Sequence, residues 1–517
     1  MISLILALVV SSATYAQPGG AARQRVIPAQ DREQALKNAR IRQQESIARR
    51  YEERSNFERA LSEWSQLYST DSTRIDYYDG VRRNLNALGR YEEARALILD
   101  RLHHRSEWEN TASLYAELGE TWLLADDSTK AAEAFEQAIR AGQGPAGYQI
   151  VASILAGNRH VDGALATLRR GRRELNDPTL YASSIAPLLK SRMDWNGAAQ
   201  EYLLTARTSK STAEYSLRGL ASIPVEAEAG EAVDRALRDE LKHVEASSEP
   251  WDGYRLTLLE ALANRYKEGG DYAGALRVIA EMDSLDPVPG PELVAFAGEA
   301  MGEGFEDIAA DALRIASIRM RDPRGQGVVI LARASLAERR RDWREADSLY
   351  TSAIARPASP DVEQRARMMR GMLRLERLND PNRAKDDFRL LLKRPDRGLL
   401  LAARYGLARA LAAQDSLGAA RTVLARPMPG EPEGFSTPVP QGDVRSGLLA
   451  ARIALWERKP SLAAGLLEWV MIPPTGSDIE NDALEYLRVI NGETDSLVLA
   501  AFADADRALF RGDTLAA

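Results

Sequence analysis

The sequence predicts an all-α superhelix of about 12–13 helix–turn–helix repeats. Three observations carry this reading. Charged residues make up 28% and aromatics only 6% of the chain, with alanine, leucine, arginine and glutamate abundant, and these are strong helix formers. An alanine followed four residues later by a bulky apolar side chain returns along the chain at nearly constant spacing. Turn and breaker residues fall between those segments. The 517 residues also exceed one compact core, given roughly 100–200 residues per domain.

The elements follow in order. Ile2 to Val10 are almost continuously apolar, and Ser11, Ser12, Thr14 and Ala16 follow. This pattern predicts a secretory signal peptide over 1–16, cut before Gln17, and hence an exported protein that is periplasmic or outer-membrane-associated. The basic residue that usually precedes such an apolar stretch is missing. Residues 17–28 read as a linker, and 29–53 as one long charged helix merging into the first repeat. Residues 29–243 read as an N-terminal array and 244–426 as a central array. The Pro/Gly-rich stretch 427–443 reads as a loop, and 444–517 as C-terminal repeats. Asp504–Phe510 resembles a first helix with its turn at Arg511–Asp513, so a second helix is expected to begin at Ala517. The expectation is a truncated array with an exposed apolar end.

The repeat positions can be named. Ala60 with Trp64, Ala94 with Ile98, Ala131 with Phe135 and Ala138, Ala164 with Leu168, and Ala198 with Tyr202 are separated by steps of 34, 37, 33 and 34 residues. The pattern returns at Ala275, Ala309, Ala346 (with Tyr350), Ala384, Ala420 and Ala463. One degenerate unit is expected at 211–243, its second helix near Glu231–His243. A second pattern precedes each alanine: Ile47, Ala48, Tyr51; Tyr115, Leu118, Gly119, Trp122; Leu262, Ala263, Tyr266. Such spacings mark one face of a helix. Each unit is therefore two amphipathic helices, joined by turns such as Gly89, Asp126-Asp127 and Gly269-Gly270-Asp271. Gly119 and Ala131 are expected to face each other where the helices cross, with Trp122 and Phe135 as bulky fillers. Pro187 lies in the first helix of the fifth unit, where it removes a hydrogen bond.

The runs around Tyr115–Trp122 and Ala131–Ala138, and again 263–287, resemble the tetratricopeptide repeat (TPR). The resemblance spans roughly 41–517 and is clearest in units one, three and seven. It implies a solenoid whose concave face, built from first helices, binds proteins or peptides. On that stripe helical spacing places Arg49 between Glu45 and Glu52; Asp79, Arg83 and Asn86; Glu260, Asn264 and Lys267; then Tyr405, Arg409 and Arg452. Family members that clamp a peptide carboxylate use a dense Lys/Asn grid. Units four and five offer Gln149, Ser153, Ser183 and Lys190 instead, so carboxylate clamping is not expected.

Chemistry-bearing motifs are missing from the sequence. The chain has no cysteine, which excludes disulfides, thiolate zinc sites and cysteine nucleophiles. His103 and His104 are adjacent and point apart on a helix, while His160 and His243 lie in other units. No phosphate loop, His-Glu-x-x-His or Gly-x-Ser-x-Gly is present. Glu92-Glu93 and Asp126-Asp127 sit at helix starts, where they favour the dipole. The net charge of −7 and the lack of a basic face argue against nucleic acid, Arg339–Arg341 being a short cluster at a turn. The apolar stretch near Leu462–Ile472 contains Glu468 and ends at Pro473, too short to span a bilayer. The expectation is a non-enzymatic protein-binding scaffold of the cell envelope, with no cofactor or metal. The alternative is a regulatory or docking repeat region of an enzyme whose catalytic domain lies beyond Ala517.

Overall fold

The computed structural model describes residues 29–104, 110–357, 359–393, 397–425, 444–471, 478–492 and 495–515, with side chains from 37 onward and, in the helix that begins at 397, from 399. The expected signal peptide (1–16), linker (17–28) and loop (427–443) lie outside the described residues. The chain divides into two compact units, 1–205 and 206–517.

Unit one carries α1 (Ala29–Glu53), α2 (Phe57–Thr70), α3 (Ile75–Ala87), α4 (Tyr91–His103), α5 (Thr111–Leu124), α6 (Ser128–Ala141), α7 (Pro145–Gly157), α8 (Val161–Glu174), α9 (Ala182–Ser191) and α10 (Trp195–Ala206). Unit two carries α11 (Lys210–Ala221), α12 (Ala227–Ala246), α13 (Tyr254–Glu268), α14 (Tyr272–Leu285), α15 (Pro291–Gly302), α16 (Glu306–Arg319), α17 (Pro323–Arg339) and α18 (Trp343–Ala355). It continues with α19 (Pro360–Glu376), α20 (Pro381–Leu391), α21 (Arg397–Ala413), α22 (Leu417–Leu424), α23 (Val444–Trp456), α24 (Pro460–Val470), α25 (Asp478–Gly492) and α26 (Ser496–Phe510). Within each unit the helices pack as consecutive pairs, and a first helix also meets the first helix of the next pair, as α5 does α7 and α17 does α19. This is the TPR-like α–α array expected. The degenerate repeat is the pair α11 and α12.

One turn recurs in most pairs, and it explains why they form. After most of the first helices a single residue takes a left-handed conformation: Ser55, Gly89, Asp126, Arg159, Met193, Gly270, Gly304, Arg341 and Arg458 all have φ between 54° and 88°. The next N–H then bonds back five residues, as Asp127 N–H does to the Trp122 carbonyl (3.0 Å) and Asp271 N–H to the Tyr266 carbonyl (2.8 Å). This αL closure satisfies orphan carbonyls of the first helix. The same donor residue caps the second helix: Asp127 Oδ1 accepts from Lys130 N and Asp271 Oδ1 from Gly274 N. One residue ends one helix and starts the next, which fixes the hairpin angle.

The repeat alanines are the fully buried contacts. Ala60, Ala94, Ala138, Ala164, Ala198, Ala275 and Ala346 have no exposed surface, and Trp64, Ala131, Phe135, Leu118, Tyr202 and Tyr350 are buried beside them. One expectation needs correction. The tight contact at Gly119 is with Phe135 rather than Ala131: a Cβ there would lie 2.5 Å from the Phe135 ring. Trp122 is only half-buried, because Arg95 and Lys130 lie 3.8 and 4.3 Å from its ring centroid. A cation over an indole face holds that ring at the edge of the core. Tyr266 is likewise half-buried, and its hydroxyl accepts from Arg238. Pro187 sits inside α9, which starts only at Ala182, so the lost hydrogen bond falls near the helix start.

The end of unit two departs from simple stacking. Helix α26 packs onto α23, with Phe510 against Trp456 at 4.9 Å between ring centroids. Phe510 thus packs over a first helix, while Leu497, Val498 and Leu509 of α26 remain exposed. Ala517, where a further helix was expected to begin, lies outside the described residues.

Candidate partner-binding grooves

The first-helix face of unit one spends its polar groups internally. Tyr77 donates to Glu45, Asn84 to Glu52, Tyr78 to Glu117 and Asn158 to Glu120, at 2.6 to 2.9 Å. Arg82 lies 2.6 Å from Glu120 and 3.4 Å from Glu117. These partners are roughly one repeat apart in sequence, so the bonds link successive first helices. Burial pushes the Glu117 carboxyl up, and Arg82 only partly offsets it. Three of the stripe residues join this ladder. Asp79 approaches Arg82, Arg83 reaches Glu52 at 3.5 Å, and Asn86 accepts from Thr121. Burial also raises the Asp79 carboxyl. Arg49 is exposed.

Unit two contains an open groove, a cavity of about 940 Å³ lined by α11, α13 and α15 with Tyr272 at the start of α14. Glu260, Asn264 and Lys267 project from α13 into it, Glu214 and Arg218 come from α11, and Glu299 and Glu303 from α15. Thus three of the stripe residues come together in one site. Lys267 bonds Glu299 at 3.1 Å. Arg265 at the floor is buried, donating to the Ile223 and Pro224 carbonyls and lying 3.4 Å from Asp234. The remaining wall is acidic: Glu214, Glu260, Glu268 and Glu303 face Arg218 alone. Tyr272 is only 7% exposed, its ring stacked between Phe305 and Phe296 at 4.3 and 5.9 Å. Burial, then the charges of Glu299 and Glu303, push its hydroxyl above the ordinary range.

A second, more apolar cavity of about 340 Å³ lies on α15, α17, α19 and α21, where Val328, Leu331, Met368, Met369 and Leu399 line it beside Tyr350. The other stripe residues lie elsewhere. Arg409 bonds Glu376 at 2.5 Å and lies over the Tyr405 ring. Arg452 is held by Asp506 of α26 through Nε (3.2 Å) and an Nη (2.7 Å). Trp456 Nε1 and the Tyr486 hydroxyl donate to the same carboxylate, at 2.7 and 2.5 Å. Arg458 donates to Asp504 and to the Ala500 carbonyl, and Arg507 pairs with Asp415. Helix α26 therefore occupies the face from which Arg452 projects.

Several of these residues have weak sequence signals. Glu214 and Arg218 belong to the degenerate repeat. Tyr272 has one: an aromatic follows the capping residue at Phe57, Tyr91, Trp195 and Trp343 as well. Asp506 has none, being 54 residues from Arg452. Among the described residues no group of three or more His, Cys, Asp and Glu is placed to hold a metal ion. No described helix is long and apolar enough to cross a membrane.

No family model matches the chain, and no curated protein matches it. Among solved structures, a chain of the APC/C hetero-tetramer Cut9–Hcn1 is 13% identical, over 86% of this chain and 95% of that one, with a TM-score of 0.32. Yeast Tom70 is 13% identical over 92% of this chain and 99% of its own, with a TM-score of 0.31. A chain from the Naa15/Naa10 complex bound to HypK-THB is 14% identical over 92% and 75%, with a TM-score of 0.26.

Proposed function

We propose that this TPR-like array is an exported, non-enzymatic scaffold of the cell envelope that holds other proteins along its first helices. The observation that carries the reading is the groove on α11, α13 and α15. Three successive first helices line an open cavity of about 940 Å³, and most of its charged groups face solvent. A packed repeat array has no structural need for such a cleft, and concave surfaces of this kind are where solenoids bind. The lining offers carboxylates, an amide, an ammonium and a guanidinium, without the nucleophile-and-base pairing that covalent catalysis uses. Its acidic surplus disfavours nucleic acid, whose phosphates it would repel. Export is supported by the apolar Ile2–Val10 stretch and the small residues before Gln17.

A photo-crosslinking residue tests the surface. Placed at Asn264 in the groove, it is expected to give discrete protein adducts in living cells. Placed at Arg277, on the exposed side of the second helix α14, it is expected to give none. Equal labelling from both positions, or none from Asn264, overturns the assignment. Fractionation of the full chain tests the compartment: cleavage before Gln17 and recovery with the envelope are expected, and an uncleaved cytosolic chain overturns export.

A further inference from the structure

We infer that the α11–α13–α15 groove receives an extended arginine- or lysine-rich segment of its partner protein. This deepens the proposed function and rests on its reading of the first-helix face. The first argument is charge. Elsewhere in the array several carboxylates on first helices are matched, as Glu52, Glu117, Glu120 and Glu376 are by donors on neighbouring repeats. In the groove Glu214, Glu260 and Glu303 have no side-chain partner among the described residues, and Lys267 is already engaged by Glu299. Carboxylates left unmatched around one cleft set up a negative potential that cations relieve.

The second argument is independent of charge. Tyr272 is more than nine-tenths buried and lines the cleft, yet its hydroxyl has no hydrogen-bond partner among the described residues. The ring is held in the core while the hydroxyl stays open to the cleft, so this phenol can bond a group that arrives from outside. An extended backbone supplies one, through a carbonyl or an N–H, and Asn264 beside it can bond the same strand. The span fits as well. Two interhelical steps of about 8–10 Å each are crossed by about five or six residues at roughly 3.3 Å per residue, enough to set two or three basic side chains against the glutamates.

The test uses the full chain and a fluorescent octapeptide in which arginine alternates with glycine or serine, read by anisotropy. Saturable binding that weakens with added salt is expected. The triple variant Glu214→Gln/Glu260→Gln/Glu303→Gln is expected to weaken it about tenfold, and Tyr272→Phe about threefold with little change in salt dependence. A control triple, Glu133→Gln/Glu228→Gln/Glu231→Gln, removes the same charge from exposed second-helix positions and is expected to leave binding unchanged. The inference is overturned if the peptide does not bind, or if the control weakens binding as much as the groove variant. The two readings separate cleanly. Adducts from Asn264 with a partner whose crosslinked segment is neutral or acidic sink the charge assignment alone. No adduct from Asn264 sinks the surface itself.

Discussion

Two stretches of first helices within unit two, built by the same repeat rule, reach opposite states. On α11, α13 and α15 the polar side chains face an open cleft, and only Lys267 and Glu299 join across it. On α23 and α25 the equivalent face is covered by α26, and Arg452, Trp456 and Tyr486 converge on the one carboxylate of Asp506, which is 8% exposed. A charge taken out of water must be paired and hydrogen-bonded, and Asp506 is. Carboxylates left in an open groove pay no such cost and need no partner. The same repeat position can therefore be a docking surface or an internal contact, depending on whether the chain itself supplies an occupant.

The sharpest way to break this comparison is Asp506→Ala. It leaves Arg452 among the rings of Trp456, Tyr486 and Phe510, 5.1 to 5.7 Å away, without its counter-charge. Breaking a buried pair from one side costs about 3–5 kcal/mol, and partial exposure of Arg452 brings this to about 2–3 kcal/mol. Hydrogen exchange over Ser496–Phe510 is expected to accelerate, while α13 keeps its protection. Unchanged exchange in α26 would mean that the covered face is held by something other than this carboxylate.

Glycine substitutions sharpen the contrast in packing. The Phe388 ring, fully buried, is gripped between Gly371 and Gly406, where added Cβ atoms would lie 2.8 and 2.5 Å away. Overpacking of about 1–3 kcal/mol outweighs the gain of up to about 1 kcal/mol from replacing a helical glycine. Gly406→Ala is expected to destabilise by about 1–2 kcal/mol in a denaturant titration. Gly298 on α15 has nothing within 4 Å of such a Cβ, so Gly298→Ala is expected to stabilise by about 0.5–1 kcal/mol. The opposite signs are the check; the same sign at both sites would refute the packing account.

What was legible in the sequence follows the range of the interactions. The pairing rule is local: an alanine, a bulky residue four later and a capping residue after the turn lie within one repeat, so even the degenerate pair α11 and α12 could be placed from its spacing. The groove residues Glu260, Asn264 and Lys267 were legible for the same reason, all lying on one helix. The occupant of the Arg452 face was not, because Asp506 is 54 residues away and no period connects them. Trp122 packs against the core as its spacing implies, but that it is only half-buried under two cations is not legible, because those neighbours come from α4 and α6. Gly119 was matched to the wrong partner because periodicity names the face of a helix but not the side chain that fills it.

The covered face also carries a pH dependence. Burial, then the bond to Asp506, raises the Tyr486 hydroxyl above its usual range, although Arg452 opposes this. The folded state thus favours the neutral phenol. Its contribution is complete below the unfolded value of about 10 and is lost as pH rises from there toward the folded value. Tyr486→Phe removes one hydrogen bond to a charged acceptor that keeps its other donors, at an expected cost of about 1 kcal/mol. Indole fluorescence, taken as the difference from Trp456→Phe, is expected to report α26 loosening above pH 10 in the parent chain. In Tyr486→Phe that alkaline component is expected to vanish, and its persistence would assign the loosening to another group.

The smallest expected effect is the most telling, because it compares one phenol with another. Tyr272 is buried to a similar degree as Asp506, with its ring stacked on Phe305 and Phe296, but its hydroxyl meets no acceptor or donor among the described residues. Removing that hydroxyl deletes no internal bond, so Tyr272→Phe is expected to shift stability by less than about 0.5 kcal/mol. Tyr486→Phe, at a phenol whose partner the chain supplies, is expected to shift it by about twice that or more. A loss at Tyr272 as large as that at Tyr486 would mean that the groove's phenol already serves the fold. A negligible loss leaves the hydroxyl free for a bond that only a bound segment can complete.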